Sequence, residues 1–234
     1  MRSPGTSSLA ADPRVRRGME RLLAERRRRL ASGDRSLGWK VGFGSEDAMR
    51  RLRTDAALVG SLTARSLLEA PAEVSLSGWV NPMLEPEVAV HMGSDLPPGA
   101  HIAAAREAVF ALGPALELAD VDPPPREVEA ILAGNIFQRH VVIGPADPST
   151  SPDALRGRVA DGTERVIEDP QAVTGKIAAV VRHVADLLGA FDELLRAGDV
   201  VICGSIVSPI PVSPGDAVSY ALDPVGEMSI KFKD

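Results

Sequence analysis

The stretch Leu84-Glu85-Pro86-Glu87-Val88-Ala89-Val90 constrains this chain more than any other. Alternation of period two is the mark of a β-strand. Successive strand side chains take opposite faces, so Glu85 and Glu87 project together while Pro86, Val88 and Val90 take the other side. With a rise of about 3.3 Å per residue, their Cα atoms stand roughly 6.5–7 Å apart. Two carboxylates that face one pocket repel unless a cation or a shared proton sits between them. On an open face they are simply solvated. The fold must therefore either leave this face wet or build a charge-neutralising site on it. Glu117 favours a site. It lies inside Ala115-Leu116-Glu117-Leu118-Ala119, where an ionised carboxylate is costly unless paired or bound to a metal.

The rest of the pattern is rich in strands. Trp39, Val41 and Phe43 alternate with Lys40 and Gly42, and Ser45 can cap a short helix containing Met49 and Leu52. Short strand-like runs are expected over Pro71–Leu84, a helix over Ala103–Leu112, a strand over Pro114–Ala119, a short helix over Pro123–Leu132 and a strand over Val141–Ile143. Asp161-Gly162 between Arg156–Ala160 and Thr163–Ile167 signals a hairpin. A helix over Val173–Leu188 and strands at Val200–Ile206, Ala217–Ala221 and Met228–Phe232 complete the reading. Strands outnumber helices and do not alternate with them regularly. That excludes a doubly wound sheet and predicts an α+β architecture of the β-roll type.

At the N-terminus, residues 1–11 read as loose. Asp12-Pro13 then caps a helix with Val15, Met19, Leu22, Leu23 and Leu30 on one stripe, ended by Gly33. Arg14, Arg16, Arg17, Arg21 and the run Arg26–Arg29 make this helix basic, which reads as a solvated face. The division expected is a tail and basic helix over residues 1–36 and a catalytic domain over 37–234.

Composition removes several function classes. A net charge of -6 and a pI near 5.3 do not suit nucleic acid, whose phosphates need clustered cations. The single cysteine, Cys203, cannot form an internal disulfide and sits in the apolar run Val200-Val201-Ile202 as a small core residue. No stretch approaches the roughly 18 apolar residues of a membrane span, and no signal-peptide core precedes Ala11. The expectation is a cytoplasmic protein with no nucleic-acid or membrane partner. Three carboxylates without a Cys or His pattern suit a hard cation, Mg²⁺ or Mn²⁺ rather than zinc. A 2-oxo acid could chelate such an ion through its carboxylate and keto oxygen.

Gly38-Trp39-Lys40-Val41-Gly42, Glu85-Pro86-Glu87, Pro114-Ala115-Leu116-Glu117 and Cys203-Gly204-Ser205 occur in an order and spacing that together resemble the 2-keto-4-pentenoate hydratases. The related 4-oxalocrotonate decarboxylases, also of the fumarylacetoacetate hydrolase superfamily, share this pattern. The segments Pro214-Gly215-Asp216 and Gly226-Glu227-Met228-Ser229-Ile230-Lys231-Phe232 extend the likeness, which covers about Leu37 to Lys233. No single motif is specific; the ordered set is. The resemblance implies a mixed β-roll, a Mg²⁺ or Mn²⁺ ion on Glu85, Glu87 and Glu117, homo-oligomeric assembly, and Lys40 beside a small-molecule 2-oxo acid substrate. Asn135, Gly204 and Ser205 are the candidate substrate contacts.

The chain also departs from the family pattern. Leu58 stands where an acidic residue is usual, with Asp55 the nearest acid upstream. Phe137 or Gln138 occupies the place of a serine. Arg139 and His140 are the candidate substitutes, and His140 could serve as acid or base because imidazole titrates near neutral pH. A lysine such as Lys40 could hold a substrate carboxylate or move a proton. The leading expectation is a hydro-lyase that converts a 2-hydroxy-dienoate, through its 2-oxo-enoate tautomer, to a 4-hydroxy-2-oxo acid. The alternatives are decarboxylation of a vinylogous 2-oxo diacid, C–C hydrolysis of an acylpyruvate, and a non-catalytic subunit.

Overall fold

A computed structural model of the chain describes residues 4–122, 124 and 126–234. Its first half comprises α1 (Pro4–Ala11), α2 (Pro13–Ala31), β1 (Ser36–Gly42), α3 (Glu46–Leu52), β2 (Leu58–Thr63), β3 (Leu67–Leu68), β4 (Ala72–Ser75), β5 (Pro82–Met92), α4 (Ile102–Glu107) and β6 (Val109–Asp120). The second half comprises α5 (Val128–Ala133), β7 (Gln138–Ile143), β8 (Arg156–Ala160), β9 (Glu164–Ile167), α6 (Gln171–Thr174), α7 (Ile177–Leu188), β10 (Val200–Ser205), β11 (Ile210–Pro211), β12 (Ala217–Asp223) and β13 (Gly226–Lys233). This is the α+β architecture that the strand-rich pattern predicts.

One sheet has eight strands in the order β2-β1-β10-β5-β6-β7-β3, with β11 on β5; a second has five, β4-β13-β12-β8-β9. The larger sheet must curl. Only residues 64–66 separate the end of β2, at one edge, from the start of β3, at the other. Four residue steps reach at most about 14 Å. A flat sheet would hold strands six intervals apart by roughly 29 Å. The two edges therefore approach each other, and the sheet closes nearly into a roll. Inside it Leu62, Ala89, Ala115, Val141, Val200 and Ile202 form a small apolar cluster separate from the main core. The main core lies outside the roll, beneath the helices and the second sheet.

Several elements differ from the sequence expectation. Residues 4–11 are helical, with Leu9 and Ala10 buried in the main core. α2 adds Val15, Met19, Leu22 and Leu23 to that same core, so both helices pack on the domain. The helix expected over Ala103–Leu112 ends at Glu107. From Val109 the chain pairs with β5, since Met92 lies opposite Val109 and His91 opposite Ala111. The long ladder outweighs the weak helix propensity of Val109 and Phe110. The helix expected from Pro123 spans Val128–Ala133, and Pro123 and Pro125 lie outside the described residues. The helix expected over Val173–Leu188 breaks at Gly175, whose φ is 88°. The Asp161-Gly162 hairpin forms between β8 and β9, with Gly162 at φ 98°.

Candidate metal centre and active site

β5 and β6 pair in antiparallel register with Glu85 directly opposite Glu117. Directly paired residues share a face of the sheet, so the register puts Glu85, Glu87 and Glu117 on one side. Lys40 joins them, because β1 pairs Lys40 with Ile202 and β10 pairs Ile202 with Ala89, two residues from Glu87. This is the inner face of the roll, whose lower part holds the small apolar cluster. Above that cluster a cavity of about 500 Å³ opens, lined by Lys40, Glu85, Glu117, Gly204 and Ser205 among others.

Lys40 is 3% exposed, and its Nζ donates to Glu117 Oε1 and, at 3.2 Å, to the carbonyl of Ile136. Glu117 is 1% exposed and Glu87 fully buried. Glu87 Oε2 accepts the Gly204 N–H at 2.6 Å. That N–H is free of the ladder because β10 slips register against β5 between Ile202 and Ser205, and Gly204 sits at φ 95°. A strand irregularity thus becomes a hydrogen-bond donor aimed at a carboxylate. Tyr220 Oη donates to the backbone carbonyl of Glu87 at 3.0 Å, tying the second sheet to the site strand.

The electrostatics call for a cation. Burial pushes Glu85 up to about 7, with the Glu117 charge adding to the effect and Lys40 opposing it. Burial also raises Glu87 well above the carboxylate range, helped by Glu117 and Glu85. Glu117 is raised by burial and held back by Lys40. Glu87 Oε1 is buried and finds no hydrogen-bond partner among the described residues. The Glu117 carboxyl can pair with it only when one of the two carries a proton. Three carboxylates and one ammonium sum to a charge of −2, which one divalent ion neutralises. Hard oxygen donors and an orphaned carboxylate oxygen fit Mg²⁺ or Mn²⁺. Among the described residues no three acidic, His or Cys side chains already converge on one ion position. Glu117 is instead turned onto Lys40.

The other candidates scatter. Ser205 Oγ lies in the cavity with a long 3.4 Å bond to the Pro86 carbonyl. Asn135 does not reach this cavity. Its amide is engaged by the backbone of Ser61, and it lines a separate space of about 330 Å³. His140 is not brought to the carboxylates. It pairs with Leu118, so it points to the outer face of the roll, where it stacks on Trp79 at 6.1 Å. Burial there holds its pKa below the usual imidazole value. Leu58 is a buried core residue, and Asp55 accepts from Ser8 Oγ at 2.7 Å on the surface. Phe137 forms a cavity wall against Phe43, with ring centroids 6.5 Å apart. Sequence reasoning missed the Ile136 carbonyl. Every residue has one, and a β-branched side chain is a poor signal for the left-handed backbone it adopts.

The model of the fumarylacetoacetate hydrolase C-terminal family matches residues 37–233. The chain belongs to the fumarylacetoacetate hydrolase family. It is 30% identical over 225 residues to a 2-hydroxyhexa-2,4-dienoate hydratase of Comamonas testosteroni, covering 89% of this chain and 82% of that one. It is 26% identical over 217 residues to a 4-oxalocrotonate decarboxylase of Pseudomonas sp, covering 90% and 83%. Among solved structures, the 4-oxalocrotonate decarboxylase of Pseudomonas putida G7, complexed with magnesium and adipate, superposes with a TM-score of 0.85 at 23% identity, covering 92% of this chain and 84% of that one. This family likeness gives the curled sheet a precedent, and the buried carboxylates sit within the matched span.

Proposed function

We propose that this protein is a metal-dependent hydro-lyase that converts a 2-hydroxy-dienoate, through its 2-oxo-enoate tautomer, to a 4-hydroxy-2-oxo acid. The observation that carries the reading is the group Lys40, Glu85, Glu87 and Glu117 on the inner face of the roll, three of which, Lys40, Glu85 and Glu117, line an open cavity. Support comes from the similarity to the dienoate hydratase. Glu85, Glu87 and Glu117 hold a Mg²⁺ or Mn²⁺ ion, as the magnesium complex of the similar decarboxylase supports. When bound, the ion supplies Lewis-acid polarisation of the substrate's 2-oxo group and carboxylate.

The chain's own groups do the rest. Negative charge gathers on the C2 oxygen as the dienol tautomerises and again as water adds at C4. Lys40 Nζ is a buried cation on that face. The Gly204 N–H keeps Glu87 from rotating away. Ser205 Oγ, only weakly engaged, is free to donate to the substrate carboxylate. Phe43, Met83, Ala119, Val121 and Phe137 give the carbon chain an apolar wall.

Decarboxylation of a vinylogous 2-oxo diacid is the second reading. It is supported by the similarity to the decarboxylase and by Arg51 in the cavity wall, a cation for a second carboxylate. C–C hydrolysis is disfavoured, because no histidine lines the cavity among the described residues. The working protein is a cytoplasmic homo-oligomer acting on a small 2-oxo acid. Among the described residues no helix is long and apolar enough to cross a membrane. The test is turnover by purified protein with Mn²⁺. Loss of dienoate absorbance with formation of a 4-hydroxy-2-oxo acid supports hydration. Release of CO₂ from a 2-oxo diacid alone supports the second reading. No turnover of either substrate by homogeneous protein supports a non-catalytic subunit.

A further inference from the structure

Three consecutive residues, Asn135, Ile136 and Phe137, have φ values of 53°, 53° and 61°, and none is glycine. The left-handed conformation is unfavourable for an L-residue and is least suited to a β-branched one such as Ile136. Such strain persists only where the surroundings over-determine it. Here Asn135 does so. Its Oδ1 accepts the Ser61 N–H at 2.8 Å, and its Nδ2 donates to the Ser61 carbonyl at 2.9 Å and to Gln138 Oε1 at 3.3 Å. This two-point clamp on β2 leaves the Ile136 carbonyl 3.2 Å from Lys40 Nζ. The lysine stem passes directly beside the clamp. A Cβ built on Gly60 would meet Lys40 Cγ and Asn135 Oδ1, each at 2.9 Å. Glycine at that place lets the two side chains lie together.

We propose that Asn135 is a positioning residue. It holds the left-handed turn so that the Ile136 carbonyl and Glu117 together fix Lys40 Nζ on the inner face of the roll. It does not touch substrate, since its amide is spent on β2 and faces the smaller cavity. The inference rests on the reading that Lys40 serves the reaction.

The test uses the full-length protein with Asn135→Ala, the milder Asn135→Asp, and Asn135→Ala combined with Ile136→Gly. Glycine adopts positive φ without a steric penalty, so the double variant removes the cost of the turn at its β-branched residue while lacking the clamp. Small displacements of an acting group cost up to about 10²-fold in rate. We expect Asn135→Ala to lower kcat roughly 10- to 100-fold per folded molecule, with KM changed less than about threefold. Asn135→Asp keeps the Ser61 N–H bond and loses less. Ile136→Gly in the Ala background recovers most of the lost kcat. A rise in KM at constant kcat, without rescue, would overturn the proposal and make Asn135 a substrate contact. A fall in activity that only follows the folded fraction would overturn it as well.

A second measurement is independent of turnover. The chain has four lysines, Lys40, Lys176, Lys231 and Lys233, and all but Lys40 are exposed. In protein labelled with ¹³C at lysine Cε, the Lys40 signal is assigned by Lys40→Met. It should move toward the exposed three in Asn135→Ala and return in the double variant. An unmoved signal overturns the proposal. This holds even if wild-type protein turns over no dienoate, which by itself would sink only the functional reading.

Discussion

Two clusters of charge in this molecule invite comparison. On α2, seven arginines between Arg14 and Arg29 form or join ion pairs: Arg14 with Asp12, Arg17 and Arg21 with Glu129, Arg26 and Arg27 with Glu193, and Arg28 and Arg29 with Glu25. Most are exposed, and water and salt screen them. Arg26 alone turns inward, its guanidinium 4.6 Å over the Trp39 ring. In the roll, one lysine and three glutamates, brought together from positions 40 to 117, share a buried face. The first cluster is dense along the chain and dilute in its effects. The second is sparse along the chain and concentrated in space. Burial, rather than charge count, turns ionisable groups into a site, because a low dielectric magnifies both their repulsion and their response to a cation.

The contrast is most sharply broken at Glu87. Glu87→Gln keeps the shape and removes one charge. It should weaken Mn²⁺ binding by roughly 10³-fold or more, about 4 kcal/mol. Unchanged Mn²⁺ affinity by titration calorimetry would move the ion elsewhere. Lys40→Met comes next. It should leave Mn²⁺ affinity nearly intact while lowering kcat/KM by about 10²–10³, or 3–4 kcal/mol. Wild-type kinetics in this variant would reduce Lys40 to a structural partner of Glu117. Collapse of ion binding would assign it to the metal site instead.

Glu85 titrates near 7 in the metal-free protein against an ordinary value of 4.5. A carboxyl raised on folding adds stability below its unfolded pKa and loses it as pH rises through the folded one. Metal-free protein should therefore lose up to about 3 kcal/mol from this group between pH 4.5 and 7. Mn²⁺ should restore stability at the alkaline end. Thermal melts of Glu85→Gln should lack this part of the slope, and an identical slope would contradict the assignment. The smallest effect belongs to α2. Arg27→Gln should shift Tm by less than about 2 °C and leave kcat/KM alone. A large loss of activity there would make the basic helix functional.

Local pattern was legible wherever one periodicity dominated. Alternation through Leu84–Val90 places Glu85 and Glu87 on one face, and β5 bears this out. Lys40 between Trp39 and Val41 predicts a side chain opposite theirs; Trp39 joins the outer core while Lys40 lines the cavity. Where two tendencies compete, the reading fails. Val109–Leu112 follows the ladder, and residues 4–11 form a helix only against the main core that receives Leu9 and Ala10.

By itself the sequence determined the strand-rich class, the three acidic residues and the lysine, because side-chain alternation and the cost of burying charge act over a few neighbouring residues. Tertiary structure decided the rest. The register of β6 set Glu117 against Glu85, and the register of β7 turned His140 outward. The slip in β10 freed the Gly204 N–H, and the clamp on Ser61 bent three ordinary residues into a left-handed turn. Each of these depends on which strand lies beside which, a choice made by closing the whole sheet over its small apolar interior, and no local periodicity encodes it.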